Sequence, residues 1–235
     1  METIGRGFQE ALRLMVSFDP ELMRIIALSF FVSGGALAIA SAIGIPIGAT
    51  TALKRFPLRG ILVSAINAFM GLPPVVAGLF LYMFLSRSGP LGFMGLLYTP
   101  WAMIAAQTIL ALPIVAGLTH SAVSSVGSEI RLAARTLGAT PLQEGVTIIR
   151  EARYGIISAM AAALGRAMAE VGAVLMVGGN IAGYTRVMTT TIAMETDKGR
   201  FALAIALGII LLTLSLLINM ALHALRGKGK ADAHS

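Results

Sequence analysis

The chain has 235 residues, of which 57% are hydrophobic and only 12% are charged. That charged fraction is about half that of an ordinary soluble domain, and a fold of this length could not bury so much apolar surface, so the composition excludes a water-soluble protein. The absence of cysteine excludes disulfides and thiolate metal sites, and the three histidines are too scattered for a metal-ligand cluster. The net charge of +7 comes from basic residues between apolar runs, which indicates membrane topology rather than nucleic-acid binding.

Residues 1–23 are too polar to cross a membrane. Apolar side chains recur at helical spacing over residues 4–15 with charges between them, which predicts an amphipathic helix on the outer membrane interface; a frayed tail is the alternative. Asp19 followed by Pro20 has the pattern of an N-cap with proline at the first helical position.

Five apolar stretches follow, each near the roughly 20 residues that a bilayer-crossing helix needs. We therefore predict a single membrane domain over residues 1–235. Pro73, Pro74 and Pro113 are expected to kink the second and third spans. The predicted spans are 25–53, 61–85, 101–118, 155–178 and 201–222.

The distribution of lysine and arginine predicts the orientation of these spans. The segments on one side carry Arg6, Arg13, Arg24, Arg87, Arg186, Lys198 and Arg200. The other side carries the larger set, namely Lys54, Arg55, Arg59, Arg131, Arg135, Arg150, Arg153, Arg226, Lys228 and Lys230. The N-terminus is thus predicted outside, and the loop 119–154 and the C-terminus in the cytoplasm.

Small residues recur every fourth position in two spans, a pattern that lets helix backbones approach closely. They can serve packing within one subunit, or a seam between two subunits, for which the fourth span is best suited. The residues are Gly44 and Gly48 in the first span, and Ala161, Gly165, Ala169 and Ala173 in the fourth.

The loop 119–154 contains two short helical patterns. Ser128 is suited to cap a first helix over residues 129–137, and Gly138 to end it. Thr140, Pro141 and Gln143 then form the pattern of an N-cap, a first-turn proline and a capping box. A helix, a glycine turn and a second helix outside the membrane predict a docking element.

The sequence of residues 133–138, with Ile148 ten residues later, resembles the loop by which the permease subunits of ABC importers bind their ATPase. The match departs from the family pattern at Leu132, where glutamate is common, and at Arg150-Glu151, where leucine and proline are usual. In that family the second helix of the loop is the coupling helix, which corresponds here to residues 140–149. The residues that the resemblance assigns to ATPase coupling are Ala133, Ala134, Gly138, Thr140, Pro141, Leu142, Gln143 and Glu144.

Residues 165–173 and 179–186 look like the corresponding stretch of molybdate, sulfate and tungstate permeases, and residues 150–152 and 188–191 look closest to the tungstate type. The resemblance implies an all-α integral membrane protein with the type I ABC importer permease fold: five transmembrane helices and a cytoplasmic coupling-helix loop. It implies a homodimer in the inner membrane of a prokaryote, two cytoplasmic ATP-binding subunits and an extracytoplasmic oxyanion-binding protein. The partner ATPase would use ATP and Mg, whereas this chain would bind no cofactor, metal or nucleic acid and would not itself be an enzyme.

Arg166 and Glu170 lie inside the predicted fourth span, one helical turn apart. Arg166 would lie about 16 Å along a helix that starts near Gly155, a depth at which an unpaired charge is costly. We expect the two side chains to pair. The pair either fixes helix packing or places a positive charge on the translocation pathway.

Asn180, Thr185 and Arg186, with the threonines of residues 189–191, fall in the predicted outer loop between the last two spans. Their hydroxyl, amide and guanidinium groups suit an oxyanion. Alternatively, they face a binding protein or close an outer gate by contacting each other. A secondary transporter or a channel is the rival class, and it would require more ionisable groups within the spans.

Overall fold

The structure is a computed structural model that describes Arg13 and residues 19–231, with side chains to residue 220. Regular structure in that part of the chain is entirely helical, which confirms the predicted all-α fold. A 3₁₀ turn at Gly92–Met94 lies between the third and fourth α-helices. The α-helices are α1 (Pro20–Leu53), α2 (Arg59–Met70), α3 (Pro74–Leu85), α4 (Pro100–Ser124), α5 (Ser128–Thr136), α6 (Pro141–Glu151), α7 (Arg153–Met168), α8 (Gly172–Gly178), α9 (Met188–Asp197) and α10 (Phe201–Ala231).

Within the described residues, three helices are long and apolar enough to cross a membrane: α1, α4 and the Phe201–Met220 part of α10. Two further pairs reach the required length only together, because each is broken in the middle. The axes of α2 and α3 meet at 101°, and those of α7 and α8 at 60°. Counting each bent pair as one span gives five, the predicted number.

Helix α1 begins as the sequence predicts. The Asp19 carboxylate accepts hydrogen bonds of 2.9 Å from the backbone N–H groups of both Glu21 and Leu22, and Pro20 occupies the first turn. Residues 20–23 therefore belong to α1 and not to the amphipathic segment, whose other predicted residues lie outside the described part of the chain except for Arg13 and the cap residue Asp19. The cap places the helix start five residues before the predicted span.

The prolines have different effects in the two central spans. At Pro73 and Pro74 the second span breaks into α2 and α3, which confirms the predicted position of the kink. Pro113, in contrast, lies inside the unbroken helix α4. Helix α4 also continues to Ser124, six residues past the predicted end, so the cytoplasmic loop is shorter than the sequence suggests.

The prediction of one continuous helix over 155–178 is wrong. Helix α7 ends at Met168, the next three residues belong to neither helix, and α8 starts at Gly172. The expectation that Thr189 to Thr191 lie in an outer loop is also wrong, because these residues form the buried start of α9. Both errors arise where polar side chains bond to backbone groups of other elements, as described below.

The glycine pair of the first span packs within the chain. A Cβ atom on Gly44 would lie 3.1 Å from Val115 Cβ, and one on Gly48 would collide with the carbonyl of Ala116, so both glycines let α1 lie against α4. Gly165 in α7 has no neighbour within 4 Å. The two small-residue stripes therefore differ: both glycines of the first meet α4, whereas in the second Ala173 is buried against Gly78 and Gly165 faces open space.

Candidate functional site

The second helix of the cytoplasmic hairpin (α5, the turn at residues 137–140, and α6) starts with the predicted capping box. The Thr140 hydroxyl accepts from the Gln143 N–H at 3.4 Å, and the Gln143 side-chain oxygen accepts from the Thr140 N–H at 2.8 Å. Pro141 follows in the first turn, where its missing N–H leaves no backbone bond unmade. Three side chains from one tetrapeptide thus fix the direction in which α6 leaves the turn.

Gly138 adopts the left-handed conformation, with φ of +81°, and ends α5 as predicted. The Gly138 N–H donates to the carbonyl of Arg135, and the Ala139 N–H donates to that of Ala134, both at 3.0 Å. These two bonds satisfy the last carbonyls of α5 and reverse the chain. The start of α5 differs from the prediction: Gly127, with extended backbone angles, is the cap, and Ser128 is already the first helical residue.

An ion pair joins the two helices of the hairpin. Arg135 donates two hydrogen bonds to the Glu144 carboxylate, Nε to Oε2 at 2.9 Å and Nη2 to Oε1 at 3.1 Å. The bonds from Arg135 lower the pKa of Glu144 below its ordinary value. The planar, two-point contact fixes the angle between α5 and α6 more sharply than a single bond would.

The two faces of α6 have opposite environments. Ile148 is 1% exposed and packs with Ala49, Val123 and Ile156 at the cytoplasmic ends of the spans. On the other face Leu142 is 78% exposed. The hairpin is thus anchored on the membrane domain by one face of α6, while four of its apolar side chains stay exposed: Leu132 in α5, Leu137 in the turn, and Leu142 and Val146 in α6.

Among the remaining predicted coupling residues, Ala133 is exposed and Ala134 is half-buried beside the turn. The hairpin therefore places its structural residues, which are polar, glycine or proline, around the turn, and it leaves four of its large apolar residues exposed while Ile148 is buried. Several exposed large apolar side chains on one short, capped element are typical of a protein-docking site.

Arg166 and Glu170 do not pair. Arg166 is exposed on the chain's own surface and forms no ion pair with any side chain that the structure describes. Glu170 is 8% exposed, and its Oε1 accepts a hydrogen bond of 3.1 Å from the Ala173 N–H at the start of α8. Glu170 lies just beyond the end of α7, and its carboxylate bonds to the start of α8 instead of to Arg166.

Side chains from two other segments bond to the backbone at this break. The Gln107 Nε2 of α4 donates to the Ala167 carbonyl at 2.9 Å, and the Thr189 hydroxyl of α9 donates to the Glu170 carbonyl at 2.8 Å. Gln107 is 4% exposed and Thr189 is 8% exposed. Gln107 is not among the residues predicted from sequence, although an amide in an otherwise apolar span is the signal that identifies it.

The predicted outer-loop candidates bond mainly to their own surroundings. The fully buried Thr185 hydroxyl accepts from the Ile181 N–H at 2.9 Å and donates to the Gly178 carbonyl. The Asn180 side-chain oxygen accepts from Thr190 at 2.9 Å.

Arg186, the remaining outer-loop candidate, contacts the start of α1. Its Nη1 lies 3.5 Å from the Glu21 carboxylate. The structure therefore brings Asn180 and Thr185 together in one closed loop and places Arg186 against α1, while Arg166 and Glu170 lie at the helix break.

Comparison with known proteins agrees with this architecture. Residues 44–228 match the family described as "Binding-protein-dependent transport system inner membrane component". The tungstate uptake system permease protein of Peptoclostridium acidaminophilum is 47% identical over 226 residues, which cover 96% of this chain and 99% of that protein. The molybdenum transport system permease protein of Azotobacter vinelandii is 30% identical, over 78% of this chain and 85% of that one.

Solved structures show the same fold. An inward-facing methionine ABC transporter superimposes with a TM-score of 0.75 at 19% identity, over 90% of this chain and 97% of the matched chain. A bacterial transporter that imports the polysaccharide alginate superimposes with a TM-score of 0.71 at 18% identity, over 88% of this chain and 79% of the matched one. The fold is thus that of type I ABC importer permeases, and the chain belongs to the family of inner membrane components of binding-protein-dependent transport systems.

Proposed function

We propose that this chain is the membrane-spanning permease subunit of an ATP-driven importer that carries tungstate into the cytoplasm. The observation that carries the proposal is 47% identity to a tungstate uptake permease over 96% of this chain. A second tungstate uptake permease, from Campylobacter jejuni, is 36% identical over the same share of the chain, whereas the molybdenum relative is 30% identical over a smaller part. Molybdate and sulfate are the alternative cargoes.

The cytoplasmic hairpin couples this subunit to the ATPase. Its exposed apolar face, centred on Leu142, enters a groove of the ATP-binding subunit, while the buried Ile148 transmits the movement of that subunit to the spans. The chain supplies pathway and coupling; ATP and Mg bind to the partner ATPase, where hydrolysis takes place.

Arg166 provides a positive charge for the anion on the pathway. An exposed guanidinium without an ionic partner among the described residues, on a helix that crosses the membrane, is costly unless it faces water, a ligand or another subunit. Such a group offers weak, transient attraction to a dianion, which suits a pathway that must release its cargo.

Asn180, Thr185 and Arg186 act at the outer end of the pathway by holding the loop before α9 closed rather than by direct contact with the anion. The hydrogen bond of Thr185 within this loop and that of Asn180 with Thr190 of α9 support that role.

The working unit is a homodimer in the inner membrane, with two ATP-binding subunits below and an extracytoplasmic binding protein above. The N-terminus lies outside and the C-terminus in the cytoplasm, so that the hairpin and the basic segments around it face the ATPase. A heterodimer with a related permease is the alternative, which mass measurement of the purified complex distinguishes.

The test is uptake of labelled tungstate, molybdate and sulfate by proteoliposomes that contain this chain, its ATPase and its binding protein. We expect tungstate uptake that requires ATP. Uptake of molybdate or sulfate instead would keep the class of importer and change the cargo. Flux that does not require ATP would contradict the proposal and favour a secondary transporter or a channel.

A further inference from the structure

The break in the fourth span leaves backbone carbonyl groups to be satisfied inside the membrane domain. In a continuous helix the carbonyls of Ala167 and Glu170 would accept from the N–H groups four residues later. Here the Ala167 carbonyl accepts from the Glu170 N–H at 3.2 Å and from Gln107, and the Glu170 carbonyl accepts from Thr189. An unmet carbonyl in an apolar interior is unfavourable, so these two side chains stabilise the broken form over the continuous one.

The two donors act at one place. Gln107 and Thr189 line the same small cavity, of about 10 Å³, together with Ala167 and Ser33. Gln107 comes from α4 and Thr189 from α9, so two separate elements hold opposite ends of the break. The cavity leaves room for about one water molecule. The two hydrogen bonds that Gln107 and Thr189 donate to the break, which we call the latch, therefore lie in a nearly dry site.

The break decides the electrostatic state of Arg166. If α7 continued through Glu170, the two side chains would lie one turn apart and would attract each other. In the structure the Glu170 carboxylate instead caps α8 through the Ala173 N–H, and Arg166 is left without an ionic partner among the described residues.

We propose that Gln107 and Thr189 are positioning residues that hold the fourth span broken and thereby prevent Glu170 from neutralising Arg166. This inference rests on the proposed role of Arg166 in anion transport. It assigns to two buried polar side chains a purpose beyond packing: they keep a positive charge available to the anion.

The test measures ATP-driven oxyanion uptake by the assembled complex in proteoliposomes. Thr189→Val removes the hydroxyl donor with almost no change in volume, and Thr189→Ser keeps it. We expect uptake to fall about fivefold in Thr189→Val, the upper end of the effect of a single ion pair, because Glu170 is then free to pair with Arg166, and to stay near the wild-type rate in Thr189→Ser. Gln107→Leu should behave like Thr189→Val.

The decisive variant combines Thr189→Val with Glu170→Gln. The glutamine oxygen can still accept from the Ala173 N–H, so the cap of α8 is kept while the charge that would pair with Arg166 is removed. We expect the double variant to recover at least half of the uptake of Glu170→Gln alone. A latch with only a structural purpose would not be rescued by removal of a charge.

The controls separate this inference from the proposed function. The series uses whichever of tungstate, molybdate and sulfate the wild-type complex takes up, so a wrong cargo does not affect the test. If Arg166→Gln transports as well as the wild type, the pathway role of Arg166 and the latch both fail. If Arg166→Gln is impaired but Thr189→Val equals Thr189→Ser, or Glu170→Gln gives no rescue, the latch alone is overturned.

Discussion

The cytoplasmic hairpin and the break in the fourth span are both interruptions of helix, but different forces shape them. In the hairpin the turn is made by residues close in sequence, such as Thr140 with Gln143 and Gly138 with Arg135. At the break the backbone is held by Gln107, which is 60 positions from its partner, and by Thr189, which is 19 positions from its partner. The hairpin is therefore a local structure, and the break is a tertiary one.

The difference extends to what the surrounding side chains do. Around the hairpin the large apolar residues face outward, so their loss should affect a partner more than the fold. Around the break the same kind of residue is buried between α3, α4 and α8, so a change should affect the fold first.

The largest effect is expected from a charge on the outward face of the hairpin. Leu142→Glu should weaken binding of the ATPase subunit by about 3 kcal/mol, a loss of more than a hundredfold in affinity, because the leucine is an exposed anchor and a carboxylate would be desolvated in its place. The measurement is ATPase affinity by pull-down and titration with the purified permease.

Thr147→Glu is the matched control, since Thr147 is also exposed on α6 but lies more than a quarter turn away from Leu142 and Val146. The melting temperature of the permease should be the same in both variants. Equal loss of ATPase binding in both would mean that net charge, rather than the apolar face, governs docking.

The contrast between the two regions also explains what the sequence could predict. The caps at Asp19 and Thr140 and the glycine at 138 were found because each bonds within a few residues, so its pattern is visible in a short window. The five apolar runs were found because lipid imposes length and hydropathy on every span.

The break was missed for the corresponding reason. Residues 155–178 are apolar and contain no proline, so local propensity favours one helix. Helix α7 ends where Gln107 and Thr189 donate hydrogen bonds to the backbone. Both donors are far from the break in sequence, so a short stretch of sequence does not show that folding brings them there. The expected pairing of Arg166 with Glu170 then failed, because a nearer backbone N–H, that of Ala173, bonds to the carboxylate.

A substitution beside the break tests its tertiary character. A Cβ atom on Gly78 of α3 would lie 2.7 Å from the Cα of Ala173 in α8, a separation that real Cβ atoms do not reach. Gly78→Ala should push the two helices apart and reduce the free energy of unfolding by about 2 kcal/mol. The melting temperature of the purified permease in detergent measures this effect.

Gly165→Ala supplies the comparison on the other side of the break, because Gly165 lies inside α7 and has no neighbour within 4 Å. That change should stabilise the chain by about 0.5 to 1 kcal/mol through helix propensity alone. If Gly165→Ala destabilised the permease as much as Gly78→Ala does, crowding between α3 and α8 would not be the cause of the lower stability of Gly78→Ala.

A smaller effect is expected at the hairpin turn. Gly138 has φ of +81° and open space around its Cα, so Gly138→Ser costs only backbone strain, about 1 kcal/mol. Gly127→Ser is matched to it: Gly127 is equally open but has φ of −55°, and serine is a good N-cap for α5. Amide hydrogen exchange over residues 133–147 should rise for Gly138→Ser only. A rise in both variants would mean that the positive φ of residue 138 is not the cause of the destabilisation.

The smallest effect concerns the ion pair between Arg135 and Glu144, which lies in water. The pKa of Glu144 is lowered by its bonds to Arg135, so the pair stabilises the hairpin above the ordinary pKa of glutamate and is lost as the pH falls through the lowered value. Amide exchange in the hairpin should therefore increase slightly on acidification and on addition of salt. Arg135→Glu should reproduce that increase at neutral pH, and the added change Glu144→Arg should reverse it if the angle between α5 and α6 depends on the pair. An unchanged exchange pattern in both variants would mean that the capping box and Gly138 alone determine the angle between α5 and α6. The hairpin would then depend only on bonds between residues close in sequence, unlike the break, which depends on Gln107 and Thr189.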